Sequence, residues 1–200
     1  TGLYRVRYVG SEPTAPADPV NDLLTGKARQ RRHHLESYHG KQNPMAINMA
    51  WPYLASTDRA LRYAARIAIE HQSVELWQDR ALAEQRPVPA IEALLALTRS
   101  GDSSLQGAII ECLNKLPLFQ LSEEQMLAAL RVYALALVRL KNSDTANSDS
   151  VRRRLRPFFP GLSEATNQDL CRLLIYLRDP GVIDASLQQL RIATTQGSQM

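Results

Sequence analysis

Histidine and glutamate side chains gather in one short stretch of the sequence, where they have the chemistry to hold a metal ion. His33, His34 and His39 lie within seven residues, and Glu36 and His71 are candidates to join them. Ligands on one helix face need a spacing of three or four residues, and only His33 with Glu36 meets it cleanly. The spacing therefore favours a polar helix face that runs into a glycine turn over a metal site.

Two basic runs have the charge needed to contact phosphate groups or an acidic partner. They comprise Lys27, Arg29, Arg31 and Arg32 in the first run, and Arg152, Arg153, Arg154 and Arg156 in the second. Clustered basic residues are the footprint of nucleic-acid binding. Successive residues splay around a helix axis, some arginines have acidic residues of adjacent helices as alternative partners, and neither run has interleaved aromatic residues for base stacking. We therefore predict an interaction surface, with nucleic acid the less favoured partner.

Catalytic constellations are scarce in this chain. Arg62, Arg66 and Glu70 place opposite charges four residues apart on one helix face, a pattern that usually joins neighbouring helices or faces water. Glu70 with His71 is the one acid and base pair of interest. Glycine-rich phosphate loops, nucleophile elbows and zinc-protease motifs do not occur in the sequence. We expect no catalytic residue, no cofactor and no metal in this chain.

The composition is that of an ordinary folded protein. Of the 200 residues, 44% are hydrophobic and 22% charged, which argues against disorder, and no apolar run approaches the ~20 residues that cross a bilayer. A net charge of +4 is too mild to indicate a polyanion-binding protein. Cys112 and Cys171 each lie inside an apolar helical pattern, so we expect core thiols.

The first nineteen residues differ in character from the rest. Residues 3–9 alternate with a period of two, which is typical of a β-strand, and residues 11–19 carry three prolines. Because one strand is not stable alone, we expect residues 1–19 to be the end of an upstream β-domain and a proline-rich linker. The chain begins without methionine, so we expect an internal piece of a larger protein. A helical domain is predicted over residues 20–200.

Helical periodicity dominates after residue 20 and predicts about ten helices joined by short connections. Asn21 is the expected first N-cap, and Ser122 with Gln125 has the form of a capping box. Residues 142–150 are predicted to form a polar loop. The predicted helices span residues 21–38, 44–55, 59–72, 74–84, 87–101, 103–116, 123–140, 151–158, 167–178 and 182–193. Loosely recurring apolar helix pairs predict an all-α, HEAT-like α-solenoid of about five antiparallel pairs, with a non-repetitive helical bundle as the alternative.

Several segments resemble a known family of large secreted bacterial proteins. Residues 2–10 (GLYRVRYVG) resemble the last strand of a sorbosone-dehydrogenase-like β-propeller. Residues 51–59 (WPYLASTDR), 62–70 (RYAARIAIE) and 167–174 (NQDLCRLL) are similar to the helical region that follows this propeller and precedes a cytochrome c-type, haem-binding domain. The resemblance covers nearly the whole chain and implies a periplasmic or secreted protein.

The resemblance does not place redox chemistry in these residues. Attachment of haem needs Cys-x-x-Cys-His, whereas the two cysteines stand alone. The leading hypothesis is therefore a non-catalytic scaffold or docking module, with neighbouring domains of the parent chain or another protein as its partner. The alternatives are a nucleic-acid-binding HEAT-like module that uses the two basic runs, and helices that contribute Glu70 and His71 to an enzyme site completed by the propeller.

Overall fold

The computed structural model describes residues 3–16, 23–141, 145–161 and 163–193, and within these ranges the protein is all-helical, with ten α-helices and no strand. Short 3₁₀ turns over residues 51–55, 74–76, 103–105, 118–120 and 156–158 stand between some of the helices. The helices are α1 Leu23–Glu36, α2 Met45–Ala50, α3 Arg59–Glu70, α4 Gln78–Ala83, α5 Pro87–Ser100, α6 Gln106–Lys115, α7 Glu123–Arg139, α8 Thr145–Leu155, α9 Glu164–Tyr176 and α10 Val182–Ile192.

Side-chain caps begin the helices that carry most of the packing. Asp58 accepts hydrogen bonds from the backbone N–H groups of Ala60 and Leu61 at the start of α3. Ser122 and Gln125 form both hydrogen bonds of the predicted capping box at the start of α7. Each such cap stabilises a helix by about 1 kcal/mol, because it satisfies backbone donors that lack a partner in the helix. The expected first cap, Asn21, lies outside the described residues.

The N-terminal segment differs from its prediction. Residues 3–9 form no β-strand, and their side chains are exposed. A strand needs a neighbour to receive its backbone hydrogen bonds, and no part of the chain that the structure describes supplies one. Pairing with an upstream β-domain stays a prediction, as does the domain boundary near residue 20, because residues 17–22 are not among those described.

Helix α8 begins earlier than its sequence predicts. Residues 142–150 were expected to form a polar loop, but the helix starts at Thr145. The side-chain amide of Asn147 donates to Gln106 Oε1, and Asn114 Nδ2 donates to the Ser150 hydroxyl oxygen. These bonds attach the polar start of α8 to α6. Tertiary contacts thus outweigh the weak helix propensity of asparagine and serine.

The helices pack in two layers. In the first, which we call the odd layer, α1, α3, α5, α7 and α9 each contact the next odd-numbered helix. In the second, the even layer, α4 contacts α6 and α6 contacts α8, while α2 packs on α3 and α10 on α9. From α3 to α9, consecutive helices therefore alternate between the layers, and buried residues of both layers belong to one hydrophobic core cluster.

Small and aliphatic residues fill this core. Ala64, Ala65 and Ala68 of α3 are fully buried, which lets α1 and α5 approach closely on either side. The two cysteines, expected as core thiols, are only half-buried against the core, and both are free. Cys112 Sγ lies 3.2 Å from the Leu82 carbonyl oxygen, and burial raises the pKa of this thiol.

Candidate functional site

An open groove runs along the outer face of the odd layer, between α3 and α9. Its volume is about 580 Å³, and it continues into a hollow of about 290 Å³ between α7 and α9, because Arg131 and Asp169 line both. We call the two together the odd-layer groove. Aliphatic side chains of α5, α7 and α9 form its floor, namely Val88, Ile91, Leu95, Leu127, Ala128 and Ala165.

Arg62 connects three odd-layer helices across this groove. Its Nε lies 3.4 Å from Glu92 Oε1 on α5, and its Nη2 lies 2.9 Å from Glu124 Oε1 on α7. Nη1 donates to the backbone carbonyl oxygens of Ser56 and Thr57. Because α3 and α7 are separated by α5, the long side chain of Arg62 reaches over α5 to Glu124. This one arginine therefore joins α3, α5 and α7 at the end where α3 and α7 begin.

Arg66 continues the ion-pair network one turn along α3. Its Nη1 lies 2.6 Å from Glu70 Oε1, and its Nε lies 3.2 Å from Glu92 Oε2. Glu70 Oε2 in turn lies 2.9 Å from Arg99 Nε on α5, and Arg139 of α7 donates to the Arg99 carbonyl oxygen. The charge ladder read from the sequence thus joins α3 to α5. Both oxygens of Glu70 are occupied, so this carboxylate is not poised as a base beside His71.

Two arginines at the groove have no such partner. Arg59, at the start of α3, and Arg131, in the middle of α7, are exposed, and neither side chain pairs with any residue that the structure describes. The carboxylates beside them are already engaged, Glu92 and Glu124 by Arg62 and Asp169 by Arg172 at 3.4 Å. The groove therefore presents free cationic donors, and each of its carboxylates already has an arginine.

The first basic run lies on the exposed side of α1. Lys27, Arg29 and Arg31 are exposed and make no ion pair with the described part of the chain. Arg32 Nε lies 3.2 Å from Glu36 Oε1, and His33 Nδ1 lies 3.0 Å from the other oxygen of the same carboxylate. The run is thus partly neutralised at its C-terminal end.

The second basic run divides between surface and interior. Arg152 Nη2 pairs with Asp149 at 2.9 Å, whereas Arg154 Nη2 donates to the Leu116 carbonyl oxygen at the end of α6. Arg156 Nε lies 3.2 Å from the buried carboxylate of Asp179. Arg153 is exposed, without a partner among the described residues. Since α8 belongs to the even layer and packs on α6 and α9, the second run does not share a face with α1.

The histidines are distributed over separate contacts. His39 Nε2 lies 2.9 Å from the Ala64 carbonyl oxygen, and the rings of His39 and His71 are 6.1 Å apart. His34 packs edge-on against Tyr38. Among the described residues, no three His, Cys, Asp or Glu side chains come together as a metal site would require. None of the helices described is both long enough and apolar enough to span a membrane.

A separate charged cluster stabilises the contact between the 3₁₀ turn at residues 51–55 and the segment after α4. Glu84 accepts hydrogen bonds from Arg86 and from the indole N–H of Trp51. The guanidinium of Arg80 lies over the Trp51 ring, 4.2 Å from its centroid. The hydrogen bond from Arg86, helped by that from Trp51, lowers the pKa of Glu84 to about 2 although burial opposes it.

No protein-family model, no curated protein and no solved structure matches this chain. The likeness to the helical region of propeller-containing proteins therefore stays an expectation. Arg59 and Arg131 were not among the predicted interaction residues. Their signal in the sequence was weak, a single charge placed beside an apolar helix face, and it became visible only when α3 and α7 were brought to one groove.

Proposed function

We propose that this chain is a non-catalytic, HEAT-like helical-repeat scaffold whose odd-layer groove docks a protein partner or a neighbouring domain of the same chain. The observation that carries the proposal is the groove itself. It combines a rigidly tied aliphatic floor with two free arginines, Arg59 and Arg131. The alternation of consecutive helices between two layers supports a solenoid, because stacked helix pairs pack in this way.

The groove's chemistry favours binding over catalysis. Its lining contains no His, Cys, Ser or Lys side chain among the described residues. Glu92, Glu124 and Asp169 are each held by an arginine, so none is placed to take a proton from a substrate. In the parent protein that the sequence resembles, the stack would fix a β-propeller relative to a following domain, outside the cytoplasm.

The first test asks whether the purified chain carries a stoichiometric cofactor. We expect the purified chain to show no absorbance from haem or quinone, and native mass spectrometry to give the mass of the polypeptide alone. A stoichiometric haem, quinone or metal would contradict the scaffold function. A matched test in the full-length parent compares turnover with and without Glu70→Ala and His71→Ala. Loss of turnover in folded variants would support the enzyme-site alternative instead.

Docking at the groove is tested by site-specific cross-linking in the full-length parent. A photoreactive amino acid is placed at Tyr63, which lines the groove, or at the exposed Glu111 of α6 in the even layer. We expect position 63, and not position 111, to cross-link to one defined segment identified by mass spectrometry. Equal cross-linking at both positions would contradict the assignment of the groove as the docking face.

Nucleic-acid binding is a second candidate because Lys27, Arg29 and Arg31 of α1 are exposed and free of ion pairs with the described residues. It predicts DNA binding at about 50 mM salt that weakens steeply with added salt and is lost in Arg29→Glu with Arg31→Glu. If the chain shows no such binding at low salt, this candidate fails and the scaffold proposal is unaffected.

A further inference from the structure

We infer that the occupant of the odd-layer groove is an acidic peptide segment that inserts an apolar side chain between α5 and α7. This inference rests on the proposed docking function and names the chemistry of the partner. It follows from three features of the groove, namely its unpaired charge, its floor and its rigidity.

The unpaired charge of the groove is positive. Arg59 and Arg131 stand free, while Arg62 and Arg66 are engaged with Glu92, so the groove offers donors to a ligand. A carboxylate fits these donors, because the planar guanidinium can bind both of its oxygens. A basic segment would have to compete with an arginine for each carboxylate of the groove. The partner's recognition elements are therefore aspartate or glutamate side chains.

The floor of the groove sets the second requirement. Val88 and Leu95 of α5 and Leu127 of α7, which are partly exposed, face the groove between the charged rims. Beyond them, the hollow between α7 and α9 is lined by Val138 and Tyr176, both at least half exposed. Covering an aliphatic surface of this kind releases water and stabilises a complex. An acidic segment that also carries an apolar side chain would satisfy rim and floor together.

Nucleic acid fits the same groove less well. A phosphate backbone presents regularly spaced charges and gains affinity from each additional cation, whereas only two arginines of the groove are free of partners among the described residues. Bases stack on aromatic side chains, but the two tyrosines at the groove, Tyr63 on α3 and Tyr176 on α9, lie on opposite sides of the aliphatic floor between α5 and α7 and form no continuous stacking surface. The observations therefore favour a peptide, and nucleic acid becomes an outcome of the test.

The helices that line the groove are also linked by its own ion pairs. Arg62 links α3, α5 and α7, and Arg66 with Glu92 fixes the distance between α3 and α5. A surface that is already ordered loses little conformational freedom when its partner binds. The two free arginines can thus be removed without disturbing the network, which makes them suitable probes.

Fluorescence anisotropy with labelled synthetic peptides tests the inference on the whole chain. The first peptide contains Asp, Glu and Leu. Three comparison probes replace its acids by Lys, replace its Leu by Ser, or substitute single-stranded DNA of equal charge. We expect the first peptide to bind most tightly, with affinity that falls as salt is raised, and each comparison probe to bind about tenfold or more weakly.

Charge variants then locate the binding. We expect Arg59→Glu with Arg131→Glu to weaken binding of the first peptide about tenfold or more. Arg59→Gln with Arg131→Gln should weaken it less, and Arg153→Glu, on the even layer, should leave it unchanged. Circular dichroism and thermal melting of each variant confirm that the fold is retained.

Three outcomes would overturn the inference. Failure of the acidic, Leu-containing peptide to bind is the first. Tighter binding of the Lys peptide that still depends on the groove is the second, and it would leave the docking function standing with a different partner. Equal or tighter binding of DNA that is lost in the groove variants is the third. A cofactor found in the purified chain would instead contradict the docking function itself.

Discussion

Two sets of four arginines in this protein differ in how close together they lie in the sequence and in the fold. Those from Arg152 to Arg156 are neighbours in the sequence, but the fold directs them to different places, and only Arg153 is left without a partner in the described residues. The arginines of the odd-layer groove come from α3 and α7, which are separated by α5, and the fold brings them to one groove. The second basic run is therefore a poor guide to a basic surface, whereas Lys27, Arg29 and Arg31 of the first run stay exposed along α1.

The geometry of the helix explains the difference. Each residue turns about 100° around the axis, so consecutive arginines face the core, the neighbouring helix and solvent in turn. In α8, Arg154 reaches the carbonyl oxygen of Leu116 and so satisfies the end of α6. In α3, by contrast, Arg59, Arg62 and Arg66 are three or four residues apart and share one face.

The largest expected effect is on the network of the groove. Glu92 and Glu124 both pair with Arg62, but the side chain of Glu92 is 20% exposed and that of Glu124 is 77% exposed. We expect Glu92→Gln to lower the free energy of unfolding by about 2 to 3 kcal/mol, because it leaves two largely buried arginines without their shared counter-charge. Glu124→Gln should change it by less than about 0.5 kcal/mol. Urea denaturation of both variants gives the comparison.

Equal losses of unfolding free energy in the two variants would show that the exposed Glu124 stabilises the protein as much as the less exposed Glu92 does. In that case Arg62 would depend on its contact across the groove as much as on its contact with α5. The bridge between α3 and α7 would then be a major source of stability rather than a consequence of packing.

A smaller effect is expected at the second basic run. Asp179 is 7% exposed, and its Oδ1 both pairs with Arg156 and accepts a hydrogen bond from the Gly181 N–H. Asp149, which pairs with Arg152, is 48% exposed. We expect Asp179→Asn to cost about 1 to 2 kcal/mol in unfolding free energy and Asp149→Asn less than about 0.5 kcal/mol. If Asp179→Asn leaves the unfolding free energy unchanged, the ion pair between Arg156 and Asp179 contributes no more to stability than an exposed surface contact does.

Local signals predicted the helices better than the groove. The capping box at Ser122, the proline at the start of α5 and the apolar spacing of α9 each act within a few residues, and the structure has each of these helices. The early start of α8 was missed because its polar residues are held by α6, a contact that the local sequence does not contain.

The groove could not be predicted because its parts lie far apart in the chain. Arg62 and Glu124 meet only after α3, α5 and α7 have packed side by side. In the sequence, Glu92 is the single acidic residue of a mostly apolar helix, and the local sequence does not name its partner. To predict the groove, one must know which helices lie side by side in the odd layer, and the local sequence does not contain this information.

Arg86, which belongs to neither set, offers a test by pH. Its partner Glu84 has its pKa lowered from 4.5 to about 2, mainly by the hydrogen bond from Arg86. Because folding lowers this pKa, the ionised carboxyl stabilises the protein above pH 4.5, and the contribution is lost as the pH falls toward 2. We expect Glu84→Gln to destabilise the protein at pH 7 and the difference from wild type to shrink below pH 4.5.

Urea midpoints measured from pH 7 to pH 3 give this result, with Glu111→Gln as the control. Among the residues that the structure describes, Glu111 pairs only with Lys115 on the same helix, and both side chains are largely exposed. The two variants should therefore differ at neutral pH, with Glu84→Gln the less stable. A constant difference between Glu84→Gln and wild type down to pH 3 would assign the stabilisation to packing against Trp51 rather than to the charge.

The smallest effect on stability is expected for the two free arginines, one from each set. Arg131 and Arg153 are both exposed and unpaired with described residues, so Arg131→Glu and Arg153→Glu should each change the unfolding free energy by less than about 0.5 kcal/mol. If the two variants are equally stable, any difference in their peptide binding is due to the position of the substituted arginine. We expect anisotropy to show weaker binding for Arg131→Glu only. If both variants bind as wild type does, the free arginine beside the aliphatic floor is no more a docking residue than the free arginine on the exposed side of α8.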